Sequence, residues 1–207
     1  MSTREKVVAE IGVQGAKFAP IGTDGYDTPV KLKYTVNITL SPNVERAERY
    51  ADNRLIISIP NEPFMDGSMG TTAHDIELEK MAGISMEVAG GVATLGMVKY
   101  LRGALYFEHI EIVEDGTSKL VKTWVYNVEV GKGETNLSTK TASITFADYV
   151  YPIRSMGDTL MANDGETEYI DQNGMKRNVF MFNAWPDDAG YATFGDAVPV
   201  PKALPAP

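Results

Sequence analysis

This chain reads as a mainly β, antiparallel domain with one flanking helix and extended loop and terminal arms. Short runs rich in Val, Ile, Thr and Tyr recur along its 207 residues, and such residues suit a pleated surface. Asp24-Gly25, Asp66-Gly67, Asp115-Gly116, Asp164-Gly165 and Asn173-Gly174 punctuate them, dipeptides that tolerate the positive φ of tight hairpin turns. A single segment, 72–82, carries the signals of a helix.

Taken in order, the first clear strand is 31–40, KLKYTVNITL. Leu32, Tyr34, Val36, Ile38 and Leu40 alternate with polar residues, the period of a strand with one buried and one wet face. RLIISI, 54–59, is the second. Residues 60–71, PNEPFMDGSMGT, hold two prolines and two glycines and read as a long loop. In TAHDIELEKMA, 72–82, Thr72 and Asp75 are spaced as a capping box, and Gly83 is placed to end the helix. Strands at 105–113 and 119–130 flank Asp115-Gly116 as a hairpin. A further strand is expected at 140–148, and a last pair near 167–170 and 177–183. Residues 1–197 form a single domain in this reading, and the Pro-rich tail 198–207 is extended and weakly held.

Composition narrows the function. The chain is 43% hydrophobic and 23% charged, the balance of a globular domain. It has no cysteine, which excludes disulfides, thiolate metal sites and cysteine nucleophiles. No run approaches the ~20 apolar residues of a membrane helix, and the charged start MSTREKVVAE is unlike a signal peptide. No membrane partner is expected. The net charge of −9 argues against binding nucleic acid through a basic face. Asn37-Ile38-Thr39 and Asn136-Leu137-Ser138 match the glycosylation pattern by chance in this reading.

Catalytic signals are sparse. His74 and His109 lack the spacing of a zinc helix, so both read as structural or surface residues. Ser68 lies in Asp-Gly-Ser-Met-Gly, where the first glycine is one place too close for a nucleophile elbow. Glu108, Glu111 and Glu114 read as a solvated acidic face rather than an acid pair. Asp171-Gln172-Asn173-Gly174 starts like a calcium loop without completing one. Trp124 and Tyr126 share one strand face and read as core. No catalytic, metal or cofactor site is expected.

Tyr50-Ala51-Asp52-Asn53 carries a resemblance. The major tail proteins of long-tailed, non-contractile phages (siphoviruses) have a similar element after an N-terminal strand. GVQGAKFAPI at 12–21, the 71–83 helix closing on Met81-Ala82-Gly83, and 121–128 followed by 138–144 are also similar to that family, in the same order. The resemblance spans roughly residues 10–160. It implies a structural virion protein that is not an enzyme: a β-sandwich closing toward a barrel, assembled as stacked hexameric rings into the tail tube that conducts the genome. Its implied partners are further copies of itself, tape measure, tail initiator or distal tail and terminator proteins, and double-stranded DNA passing without specific binding. Its implied location is the virion, and the host cytoplasm during assembly. Tyr50, Ala51, Asp52 and Asn53 then form a turn, with the Tyr50 ring as anchor and Asp52 and Asn53 bonding the turn backbone. Phe64 and Met65, apolar residues in the expected loop, are candidates for contacts between subunits or rings. Glu108, Glu111 and Glu114 are candidates for the lumen, where carboxylates repel phosphate. The competing readings are a ring-forming tube of a secretion or contractile injection machine, another virion module such as a tail terminator or capsid decoration protein, and a carboxylate-based hydrolase.

Overall fold

The computed structural model describes residues 6–44, 46–60, 63–96, 100–134 and 149–203. The chain begins with a long strand β1 (Val7–Gly22), then β2 (Gly25–Tyr26), β3 (Val30–Lys31) and β4 (Thr35–Asn43). A hairpin of β5 (Arg46–Ala51) and β6 (Arg54–Pro60) precedes β7 (Phe64–Thr71), the helix α1 (Ile76–Met81) and a small hairpin of β8 (Ser85–Val88) and β9 (Gly91–Thr94). The long pair β10 (Leu101–Val113) and β11 (Ser118–Val130) follows, then β12 (Tyr149–Ser155), β13 (Asp158–Thr159), β14 (Asn178–Val179) and β15 (Met181–Ala184). The described strand pairings are antiparallel, so the fold is mainly β with one α-helix, as the residue pattern predicts.

The main sheet runs β2-β1-β10-β11-β12-β7-β4. Its far strand β4 returns against β1, and Val13 of β1 packs with Ile38 and Leu40 of β4 on one core cluster. The sheet therefore curls around an apolar interior that also takes Phe18, Leu105, Phe107, Val125, Val128, Tyr151 and Leu78 of the helix.

Strand β11 organises this arrangement. One edge pairs with β10 along its length, while the other is shared by β15 at Lys122–Val125 and β12 at Val128–Val130. Asn127, at φ 47°, sits at the junction between them. Its N–H donates to the Tyr26 hydroxyl at 3.2 Å and its carbonyl accepts from Met156 N–H at 3.1 Å. Both faces of the strand are covered. Val125 and Val128 enter the first cluster; Trp124 and Tyr126, with Ala19, Ala104 and Tyr106, form a second on the other face.

Several sequence expectations need correction. The alternation over 31–40 breaks at Tyr34, which takes φ 63° and is 62% exposed. Lys33 N–H donates to the Asp75 carboxylate at 2.8 Å, and Thr72 N–H to the Tyr34 carbonyl at 3.0 Å. The helix entrance thus draws the chain out of the sheet between β3 and β4, a tertiary effect that a local period does not encode. The helix is shorter than 72–82, and its N-cap is Asp75 rather than Thr72. The Asp75 carboxylate accepts from Leu78 N–H at 3.1 Å, and Gly83 at φ 65° follows the C-cap.

Residues 64–71 are a strand inside the sheet, not a loop, with β4 on one edge and β12 on the other. The glycines responsible for the loop reading serve close approach instead. A Cβ on Gly67 would collide with the Thr39 carbonyl oxygen of β4, and one on Gly70 with the Asn37 side chain, whose oxygen accepts from Gly70 N–H at 3.0 Å. Asp66-Gly67 is accordingly no turn, whereas Gly25, Gly116, Gly165 and Gly174 all take positive φ beside turn residues. The expected strand at 140–148 lies outside the described residues.

The C-terminal stretch is extended, but it is held more firmly than its composition suggests. From residue 191 onward it crosses the second cluster, where Phe194 and Val198 pack on Tyr106, Trp124 and Tyr126. Trp124 Nε1–H donates to the Phe194 carbonyl at 2.7 Å, the Tyr126 hydroxyl to the Pro199 carbonyl at 2.8 Å, and Lys17 Nζ to the Gly195 carbonyl at 2.7 Å. Pro201 is buried, and its carbonyl accepts from Met161 N–H at 2.9 Å. Residues 191–203 are thus a strap that forms a second layer; 204–207 lie outside the described residues. Tyr126→Phe removes one of its fastenings and leaves a carbonyl without its donor, so it should cost about 1–2 kcal/mol. In a domain of this size that lowers Tm by roughly 2–8 °C. Thermal melting and amide exchange across 194–203 check this: an unchanged melt with full protection of the strap would show that the hydroxyl does not hold it.

Candidate functional site

The Tyr50-Ala51-Asp52-Asn53 element is the tip of the β5–β6 hairpin. Asp52 at φ 49° and Asn53 at φ 59° occupy a two-residue connection with both residues in the left-handed region. This is the geometry of a type I′ turn, whose twist matches that of the strands it joins. The expectation of a turn is met. The expectation that the Tyr50 ring anchors it in the fold is not: Tyr50 is 61% exposed, and its hydroxyl donates to Glu48 at 2.7 Å on the same strand.

The rest of the hairpin is equally open. All six residues of β5 are exposed. On β6, Ile57 and Ile59 share a face and the register shift between Arg49 and Tyr50 turns Leu55 to the other; these three and Ile56 are each between 45% and 60% exposed. None of these side chains belongs to either core cluster. A two-stranded ribbon is marginal in water by itself, and a run of exposed large aliphatics is what interaction surfaces display. The sequence RLIISI gave no sign that this strand is open on both faces.

The other candidate residues fall elsewhere. Phe64 and Met65 are half-buried strand residues, with the Arg154 guanidinium 4.6 Å from the centre of the Phe64 ring. The contact role expected of them rests on an exposed loop, and the segment is a strand instead. Glu111 is 4% exposed and accepts from Trp185 Nε1–H at 2.7 Å, so it faces the interior of the fold and not solvent, where the acidic-face and lumen readings place it. Glu108 is half-buried and accepts from the Tyr106 hydroxyl at 2.7 Å; Glu114 is exposed beyond the end of β10. Ser68 lies mid-strand between Thr39 and Pro152, which is no strand-to-helix elbow. The Asp171 carboxylate is occupied by its own turn: it accepts from the Met175, Asn173 and Arg177 N–H groups, and the Met175 amide leads in holding it below the usual carboxylate range.

Behind the helix lies a buried polar network. Glu79, 8% exposed, accepts from the Ser85 hydroxyl at 2.6 Å and the Tyr151 hydroxyl at 3.1 Å, and lies 2.7 Å from His74 Nδ1. Burial pushes the Glu79 carboxyl up, but the hydrogen bonds from Ser85, His74 and Tyr151 outweigh it, and the group is held below its ordinary value. Tyr151 also accepts from Asp75 N–H at 3.2 Å, so the network ties the helix start to β12. His74 is a structural residue of this network. Because the folded-state pKa of Glu79 is depressed, its contribution is fully present above the unfolded carboxyl's pKa of about 4.3 and fades as pH falls below that value. Glu79→Gln should therefore lower stability by about 1–3 kcal/mol at neutral pH. The gap from the parent should narrow in melts at about pH 3; an equal gap at both pH values would place the network's strength outside the carboxylate charge.

The chain matches no protein-family model, and no curated protein matches it in sequence.

Proposed function

We propose that this protein is the building block of a phage tail tube, a structural protein whose copies form rings that stack around a passage for DNA. The observation that carries the reading is the β5–β6 hairpin, a preformed ribbon with four aliphatic side chains open to solvent and no core of its own. A further copy of the chain is the partner that this reading assigns to it. A heterologous contact repeated by rotation closes a ring, and one repeated along an axis makes a tube.

Two other features support it. The curled antiparallel sheet is a rigid support for such a ribbon, consistent with the sandwich closing toward a barrel that the resemblance implies. The net charge of −9 disfavours phosphate adhesion. Only carboxylates within a screening length of about 8 Å act on passing DNA at physiological salt. Of the three glutamates first considered for the bore, Glu108 and Glu114 remain candidates, because Glu111 is enclosed within the subunit.

The test is a concentration series of purified protein, followed by sedimentation and negative-stain microscopy, on the parent and on Leu55→Ser/Ile57→Ser. The parent should form rings or tubes as concentration rises. The variant should stay monomeric and melt within about 0.5 kcal/mol of the parent, because it alters exposed residues outside the core. A parent that remains monomeric at every concentration would count against the tube, as would a variant that assembles normally. A variant that unfolds would show that the hairpin belongs to the core of the monomer.

A further inference from the structure

The first core cluster ends in a polar group that nothing above uses. Along β10, Leu105, Phe107, His109, Glu111 and Val113 alternate onto one face, and Leu105 and Phe107 are core. His109 and Glu111 interrupt that row at a cavity of about 390 Å³, lined by Val13, Ile38, Leu40, Phe107, His109 and Met181 among others. The β1–β10 register sets Glu10 directly beside Glu111. Ligand atoms of Glu10, His109 and Glu111 all lie within 4.8 Å of one another.

Three details separate this group from an ordinary ion pair. His109 Nε2 stands 3.7 Å from Glu111 Oε1, too far for a hydrogen bond. Two ligands bound at about 2.0–2.2 Å to one ion at a tetrahedral angle lie roughly 3.3–3.6 Å apart, close to that separation. His109 Nδ1 is buried without a hydrogen-bond partner among the described residues, and Nε2 makes only the long approach to Glu111, although the side chain is only 11% exposed. Such a group is costly to leave unpaired. Trp185 Nε1–H holds Glu111 Oε2 at 2.7 Å, leaving Oε1 turned toward His109, the kind of outer contact that orients a metal-bound carboxylate.

We propose that Glu10, His109 and Glu111 bind one divalent transition-metal ion of the zinc class. One imidazole and two carboxylates favour such an ion over calcium or magnesium, which prefer all-oxygen shells. Glu10 is exposed, and the cavity adjoins the group, so the ion has access and room for a water ligand. The ion ties β1 to β10 between two register shifts, at Val7/Ala9 and Ile11/Gln14, where the ladder is irregular. It acts as a staple on the N-terminal half of β1.

Isothermal titration of metal-free protein with Zn²⁺ tests this on the parent, Glu10→Gln, His109→Gln and Trp185→Phe, with Glu114→Gln as control. The parent and control should bind one equivalent, and Zn²⁺ should raise Tm reversibly to chelator. Glu10→Gln, a change at an exposed position, should weaken binding at least ten-fold without altering the metal-free melt. His109→Gln should abolish binding, and Trp185→Phe should weaken it by roughly 10–100-fold. Should His109→Gln or Trp185→Phe fail to fold, Co²⁺ absorption on the parent and Glu10→Gln reports the same ligands. A parent that binds no Zn²⁺, or binds it equally after Glu10→Gln, would overturn the proposal.

Discussion

The fold depends on keeping a single strand, β11, out of water on both faces. Thr123, Trp124, Val125 and Tyr126 are consecutive and each 0% exposed. Of these, Val125 needs one apolar layer and Trp124 and Tyr126 another. The curled sheet supplies the first and the C-terminal strap the second. Burying an aromatic or aliphatic side chain is worth about 1.5–3 kcal/mol, so removing either layer would forfeit several such contributions together. The edge shared between β15 and β12 follows from the same demand: two short strands pair one long one, on either side of its left-handed Asn127.

The helix and its network occupy the opposite end of this logic. Leu78 is a core residue, but the six-residue helix contributes little apolar surface. What fixes it is polar: Asp75 caps it and seizes the Lys33 amide, while Glu79 binds β12 through Tyr151 and the following strand through Ser85. The left-handed Tyr34 is a result, since the chain reverses there to deliver that amide. Low-population backbone of this kind persists only where its surroundings over-determine it.

How much was legible follows from which forces are local. Strands β10 and β11 and their turn were readable because β-branched residues flank Asp115-Gly116, and the Asn53 turn because its residue types tolerate left-handed φ. Trp124 and Tyr126 were readable as core from shared parity. The strand at 64–71 was hidden because its glycines answer to Thr39 and Asn37 on β4 rather than to a turn. The hairpin's openness was hidden because RLIISI looks the same whether a strand is buried or bare. Glu10 could not be singled out at all, since its place beside Glu111 exists only once β1 and β10 are in register.

Beside the packing of Phe194 and Val198, the strap is held by hydrogen bonds to its main chain. Lys17, Lys122, Trp124 and Tyr126 reach carbonyl oxygens of Gly195, Tyr191, Phe194 and Pro199. A carbonyl is common to every residue, so these bonds specify a path and not an identity. Much of the information for the path of the last layer is therefore written in distant strands, and apart from apolar residues at positions such as Phe194 and Val198 the segment is free to drift in sequence so long as its trace is kept. Comparisons by residue identity would lose such a segment first, while its course across the sheet stayed the same.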